Sequence, residues 1–342
     1  MEDIRFCSET DRSKFFLQIG EKKFRASQIE EWLWKKGVRS FDEMTNLSVS
    51  LRQTLQTYFT FKQTRIGNHV QSVDKTMKFI FQLHDERQVE GVLIPIGDRV
   101  TACISSQVGC PLRCTFCATG TMGFVRNLEA CEIFDQFILM NQESIHVFGR
   151  PITNIVYMGM GEPLLNYDNV WQSLQWITSP KGQGLSPSRI IVSTVGISTG
   201  IIQLADDNFK ADLALSLHCA DERKRLKMMP VTAKHPLSEL QKSLSYFYAK
   251  TNKRITIEYL LLKDWNDSQE DAQKLFSFCK PFPVKINLIE YNATDSQFEK
   301  SPIQNLNRFV DFLQSKNMVV NVRHSRGKDI AAACGQLVRD KQ

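Results

Sequence analysis

The chain has 342 residues, 42% of them hydrophobic and 10% aromatic, enough to bury a real core and to exclude a disordered chain. Its formal net charge of +6 permits a nucleic-acid partner without establishing one. No apolar run approaches the ~20 residues of a spanning helix, and the polar start Met1-Glu2-Asp3 has no signal-peptide core, so a cytoplasmic protein without membrane attachment is expected.

The first stretch reads as helical. Ser27 with Glu30 forms a capping-box pattern ahead of Ile29, Trp32 and Leu33, and Leu47, Leu51 and Leu55 repeat at i, i+4 in a second helix. Alternating β pattern follows at Met77, Phe79, Phe81 and Leu83, then over Val89–Ile94 and Val100–Ser105. From there strand and helix alternate. Strands are expected at Ala102–Ser105, Asn154–Met158, Arg189–Ser193, Asp212–Leu217, Ile255–Leu261 and Val284–Ile289, with helices between them and a last strand at Val319–Val322. Six βα units predict an α/β fold, a partial (β/α)6 TIM-like barrel with ligands at the C-terminal strand ends. A small helical accessory region with a β-hairpin is expected over 1–88, and the barrel with its tail over 89–342. Basic residues gather at Lys22, Lys23 and Arg25; at Lys35, Lys36 and Arg39; at Arg223, Lys224, Arg225 and Lys227; and at Arg323, Arg326 and Lys328. Solvated surface is the ordinary reading of such runs.

The chain has nine cysteines, which in this setting read as metal ligands, redox groups or buried thiols rather than a disulfide framework. Cys110-Pro-Leu-Arg-Cys114-Thr-Phe-Cys117 follows the strand ending near Ser105 and offers three thiolates from one loop. A [4Fe–4S] cluster ordinarily takes four cysteines, so three leave one iron open for another ligand. Structural zinc favours paired C-x2-C units, and no second pair exists here. Met158-Gly-Met-Gly161-Glu162-Pro163 ends the next strand, where glycines let backbone approach a ligand and Glu162 can accept from an ammonium. Ser193 and Ser216-Leu217-His218 end further strands at the same mouth. Glu90 is an acid within an apolar strand.

The C-x3-C-x2-C loop after the first strand of a βα series, with Phe116 before its third cysteine, resembles the radical S-adenosylmethionine superfamily. Six segments narrow the resemblance: Cys103–Cys110, Gly123–Leu128, Met158–Pro163, Ser216–His218, Ile286–Ile289 and Arg326–Leu337. Together they are similar to the dual-specificity ribosomal and transfer RNA adenine-C2 methyltransferases, over essentially the whole chain. The resemblance implies a [4Fe–4S] cluster on Cys110, Cys114 and Cys117. It implies two S-adenosylmethionine molecules per turnover, bound by Gly161, Glu162, Ser193, Ser216, Leu217, His218 and Asn292. It makes Cys334 the methyl carrier, Cys103 the resolving thiol that forms a transient disulfide with it, and Glu90 the proton acceptor. The implied partners are 23S rRNA, tRNA and an electron donor such as flavodoxin or ferredoxin, with the enzyme acting as a monomer. Cys7, Cys131, Cys219 and Cys279 match no role and read as structural. The competing readings are the C8-methylating sibling and a non-catalytic iron–sulfur RNA-binding protein. Pro163 after Glu162 and the loop Val108-Gly-Cys110-Pro-Leu112 are closer to the C2 family, and a pure binder has no use for Cys103 and Cys334.

Overall fold

A computed structural model describes residues 1–292 and 297–337. The N-terminal region contains β1 (Glu2–Asp3), α1 (Glu9–Gln18), α2 (Phe24–Glu30), α3 (Val49–Tyr58) and β2 (Phe59–Thr60), with β1 and β2 paired in parallel. Ser8 and Ser48 cap α1 and α3 by accepting from the N–H groups of Asp11 and Leu51. Two local expectations shift here. Ser27 caps nothing: α2 starts at Phe24 and continues through a wide π turn, Glu31–Lys35, although Ile29, Trp32 and Leu33 are buried as anticipated. Leu47 lies before the capped start of α3, so Leu51 and Leu55 form its buried edge.

An antiparallel meander follows: β3 (Arg65–Gln71), β4 (Met77–Gln82), β5 (Gln88–Ile96) and β6 (Arg99–Cys103). A short hairpin, β7 (Gln107–Gly109) with β8 (Phe124–Asn127), brackets the cysteine loop and the single turn α4 (Ala118–Thr121). Then the chain alternates α5 (Ala130–Phe148), β9 (Asn154–Tyr157), α6 (Tyr167–Thr178), β10 (Ile190–Thr194), α7 (Ser198–Asp206) and β11 (Asp212–Ser216). Next come α8 (Glu222–Met228), α9 (Leu237–Thr251), β12 (Ile255–Leu261), α10 (Gln269–Cys279), β13 (Val284–Glu290), α11 (Ile303–Ser315) and β14 (Val319–Arg323).

Strands β14-β13-β12-β11-β10-β9-β6 run parallel in that spatial order, and β5-β4-β3 extend the same sheet. The six expected βα units are all present. The sheet keeps two edges, β3 and β14, so the barrel stays open. The boundary placed at 88/89 falls one residue into β5, which pairs with β4 in one sheet, Ile80 with Glu90.

The helical region docks on the barrel's outer helices. Trp34 stacks on Trp176 of α6 at 4.1 Å and meets Phe134 of α5 edge-on. Arg5, itself buried, bridges Asp3 and Asp135 at 2.7 Å each. Among the described residues no helix is long and apolar enough to cross a membrane.

Candidate active site

One cavity opens at the C-terminal ends of the parallel strands, where the fold places ligands. Its empty volume, about 900 Å3 including the open mouth, suits a cofactor. Cys110, Cys114, Cys117, Gly161, Glu162, Ser216, His218, Asn292 and Cys334 all line it. Residues at the ends of four separate strands, β7, β9, β11 and β13, and the tail therefore meet at one place.

The cysteine loop is held from several sides. Cys110 N–H donates to Gly123 O at 2.9 Å, Thr115 N–H to Met228 O of α8 at 3.0 Å, and Ala118 N–H to Gly335 O at 2.8 Å. Gly120 lets α4 lie against the loop, since a Cβ there would stand 2.8 Å from Cys114 O. Burial drives the Cys114 thiol far above the ordinary range and the Cys110 thiol up to about 12. Such thiols stay protonated unless a metal's positive charge ionises them. No three His, Cys, Asp or Glu side chains among the described residues meet closely enough for a single ion. A four-iron cluster, in which each thiolate binds a different iron so that the cysteine sulfurs stand apart, fits three thiols spread around one cavity.

The turn after β9 is tighter than its glycines alone imply. Gly161 has φ +100, and a Cβ there would lie 2.5 Å from the Gln107 side chain, so the second glycine is required by chain packing. Glu162 is buried and already engaged: its carboxylate accepts from Leu164 N–H at 3.1 Å and Val195 N–H at 2.9 Å, tying this turn to the end of β10. Burial pushes its carboxyl up to about 7, against those hydrogen bonds. An acid whose folded pKa exceeds its unfolded value of 4.5 favours the native state fully below 4.5 and loses that advantage as pH rises to about 7. That loss is about 3 kcal/mol. Urea unfolding of the cofactor-free chain between pH 4.5 and 7.5 should show it, and Glu162→Gln should flatten this part of the profile.

His218 sits at φ +55 after β11, with its ring edge-on to Phe116. Its Nδ1 accepts from Leu260 N–H at 3.1 Å, which leaves the proton on Nε2. Burial, then the charge of Arg225, lowers its pKa to about 3, so the ring stays neutral. Ser193 does not line the cavity itself; its Oγ lies 3.2 Å from Ser216 Oγ, which does. The Leu217 side chain is fully buried away from the mouth, and its carbonyl accepts from Arg225. Asn292 donates to Cys334 O at 3.4 Å, and its buried Oδ1 accepts no hydrogen bond among the described residues.

Glu90 and Cys103 sit deeper, on strands rather than in the cavity lining. Cys103 pairs with Val92 on β5 and Val156 on β9, so strand alternation puts Glu90, Cys103 and the cavity-lining Met158 on one sheet face. Glu90 is fully buried, with Lys78 Nζ of β4 at 3.1 Å on the diagonal. Burial and then the nearby Cys334 push the Cys103 thiol up to about 12. Cys334 is exposed at the cavity wall, yet surrounding protein, Glu258 and Cys117 raise its thiol to about 11, opposed by Arg323. All nine cysteines are free thiols, so no Cys103–Cys334 disulfide is present.

Three features escape a reading of the sequence. Glu258 is buried on β12, accepts from Asn287 at 2.8 Å, and its Oε2 accepts no hydrogen bond among the described residues; an acid inside Ile255–Leu261 was its signal. The tail before Cys334 is latched to the β3–β4 turn. Asp329 accepts from Ser72 Oγ at 2.6 Å and Val73 N–H at 3.2 Å, while Asp74 accepts from Gly327 N–H at 3.1 Å. Arg225, in one of the basic runs taken as surface, is fully buried.

Comparison with known proteins agrees with this arrangement. Residues 8–60 match the ribosomal RNA large subunit methyltransferase N-terminal domain, and residues 104–276 match the radical SAM superfamily. The "Probable dual-specificity RNA methyltransferase RlmN" of Christiangramia forsetii is 49% identical over 98% of this chain and 96% of its own length. Its namesake from Salinibacter ruber is 43% identical over 99% and 94%. A crystal structure of a radical SAM methyltransferase from Sphaerobacter thermophilus superimposes with a TM-score of 0.93 at 34% identity, covering 98% of this chain and 99% of that one. The chain belongs to the RlmN family of dual-specificity RNA methyltransferases, within the radical SAM superfamily.

Proposed function

We propose that the chain methylates C2 of one adenosine in 23S rRNA and of the adenosine just 3′ of the tRNA anticodon. The observation that supports this most is the meeting of Cys334 with the three-cysteine loop in one cavity, with Cys103 close by. Adenine C2 lies between two ring nitrogens and is electron-poor, so it cannot displace a methyl group from a sulfonium. A carbon radical can add to it.

Bound on Cys110, Cys114 and Cys117, a [4Fe–4S] cluster supplies with S-adenosylmethionine the 5′-deoxyadenosyl radical that starts the chemistry. The chain's own residues do the rest. The neutral His218, Ser216 with Ser193 behind it, the Gly161-Glu162 turn, the Leu217 backbone and the open Oδ1 of Asn292 hold S-adenosylmethionine. Cys334 Sγ takes a methyl group from one such molecule by displacement, and the arriving sulfonium brings the positive charge that favours its thiolate. A second molecule is the radical source, which makes two per turnover.

The S-methyl group on Cys334 would lose a hydrogen atom to the 5′-deoxyadenosyl radical, and the methylene carbon bonds to C2. Glu90 accepts the C2 proton, and the one electron that must leave to restore the aromatic ring would return to the oxidised centre held by Cys110, Cys114 and Cys117. Cys103 then attacks Cys334 Sγ, the S–CH2 bond breaks towards carbon, and that carbon takes a proton to become the product methyl group. The resulting disulfide is reduced by an external thiol. A flavodoxin or ferredoxin delivers the single electrons, and the enzyme works as a monomer. Residues 1–88, with Lys35 and Lys36 exposed, face the RNA, and the base is splayed into the barrel mouth.

The latch at Asp329 sets where Cys334 stands. Asp329→Ala removes two hydrogen bonds of about 1 kcal/mol each, which should lower methyl transfer about tenfold or more. Reductive cleavage of S-adenosylmethionine should persist, so the ratio of methylated RNA to 5′-deoxyadenosine falls. An unchanged ratio would remove the latch from this account. Mass spectrometry of adenosines from a deletion strain, with and without the gene restored, tests the whole assignment. C2-methyladenosine at both RNA positions is expected, and methyl on C8 would contradict it.

A further inference from the structure

Arg225 is one of the largest side chains in the fully buried interior. Its guanidinium donates to neutral acceptors: Nε to Leu217 O at 3.1 Å, Nη1 to Thr232 Oγ1 at 2.8 Å and Nη2 to Val195 O at 2.6 Å. Among the described residues it forms no ion pair with a carboxylate. A buried cation without a counter-charge carries a desolvation cost of several kcal/mol. Burial accordingly lowers its pKa to about 10.

Its place in the fold points to the missing anion. Arg225 lies three residues before Met228, on the same face of α8. Met228 O accepts from the N–H of Thr115, the residue directly after Cys114. The C-terminal end of α8, one turn after Arg225, thus meets the cysteine loop. Val195, whose carbonyl accepts from Arg225, lines the same cavity as Cys110, Cys114 and Cys117. Hydrogen bonding alone does not explain a permanent charge here, because a neutral amide can also donate to carbonyls.

We propose that Arg225 is the buried counter-cation of the iron–sulfur centre, offsetting the negative charge of its thiolates and raising its reduction potential. The inference rests on the reading that Cys110, Cys114 and Cys117 hold that centre. Reduction adds one electron and no proton to a group already made anionic by three thiolates. A fixed positive charge nearby, in a low-dielectric interior, therefore stabilises the reduced form more than the oxidised one. The electron comes from an external one-electron donor.

The test compares the anaerobically reconstituted full chain with Arg225→Gln, which keeps donors but loses charge, and Arg225→Lys, which keeps charge. Iron and sulfide content are measured first, then a dithionite titration followed by electron paramagnetic resonance. Arg225→Gln should shift the reduction equilibrium at least tenfold towards the oxidised form, which is 59 mV for one electron, or fail to retain its iron. Arg225→Lys should recover most of the loss in either case. Gln and Lys variants that behave alike, whether both normal or both defective, would overturn the proposal. Cys114→Ala is the separate control: full iron retention there would sink the ligand assignment and leave the charge argument unused.

Discussion

Cys103→Ala should stop the reaction with RNA covalently attached to the protein. Cys103 lies on β6, on the sheet face it shares with Glu90, and packs near Cys334. Every step up to formation of the C2–CH2–S bond uses Cys334 and the bound cofactors, so those steps survive the substitution. Release then has no thiol to attack Cys334 Sγ. Cys131, Cys219 and Cys279 are buried and line no part of the cavity, so they offer no substitute. Denaturing electrophoresis should show an RNA–protein adduct of at most about one equivalent per chain, resistant to boiling and removed by ribonuclease. Multiple turnovers without an adduct would exclude Cys103 as the resolving thiol. Stability is a minor concern, because a cysteine-to-alanine change deletes one small buried atom and costs about 1 kcal/mol.

The second large effect belongs to Cys334→Ala. Methyl transfer to RNA should fall to background, because no other thiol stands on the cavity wall beyond the three loop cysteines. Iron content should match that of the unaltered chain, since Cys334 is not among the loop ligands. Reductive formation of 5′-deoxyadenosine should remain measurable with dithionite. That split separates a carrier from a structural residue: loss of iron and radical formation together would mean that Cys334 supports the cluster instead. Cys334 itself is exposed, so the substitution removes little packing, while its buried neighbours Ala332, Ala333 and Leu337 and the bonds to Asn292, Ala118 and the Asp329 latch still hold the tail.

The parallel strands were legible because each is a short segment rich in apolar residues set between helical stretches, and Ile255–Leu261 appears with its expected bounds. The cysteine loop was legible because all three thiols lie within eight residues of chain. Helix starts were read less well. Ser27 had the right neighbours for a cap, but tertiary packing of Ala26 and Ile29 carries the helix back to Phe24. Features set by distant chain segments left no local mark. Asp329 meets Ser72 across 257 residues, and nothing in either neighbourhood announces the other. Arg225 looked like its neighbours Arg223 and Lys227, which are exposed; its acceptors Leu217 O, Thr232 Oγ1 and Val195 O, which lie outside its own helix, are what mark it as inward-facing. The continuity of β4 with β5 across residue 88 likewise depends on pairing, which composition does not record.

The claim on which the rest depends is that Cys334 carries the methyl group before it reaches RNA. It is tested most directly by peptide mass spectrometry of the chain after turnover with S-adenosylmethionine labelled in its methyl group, before RNA is added. The account predicts label on the single tail peptide containing Cys334, and transfer of that label to adenosine C2 when RNA and a reductant follow. Label that reaches RNA while the Cys334 peptide stays unmodified would contradict it.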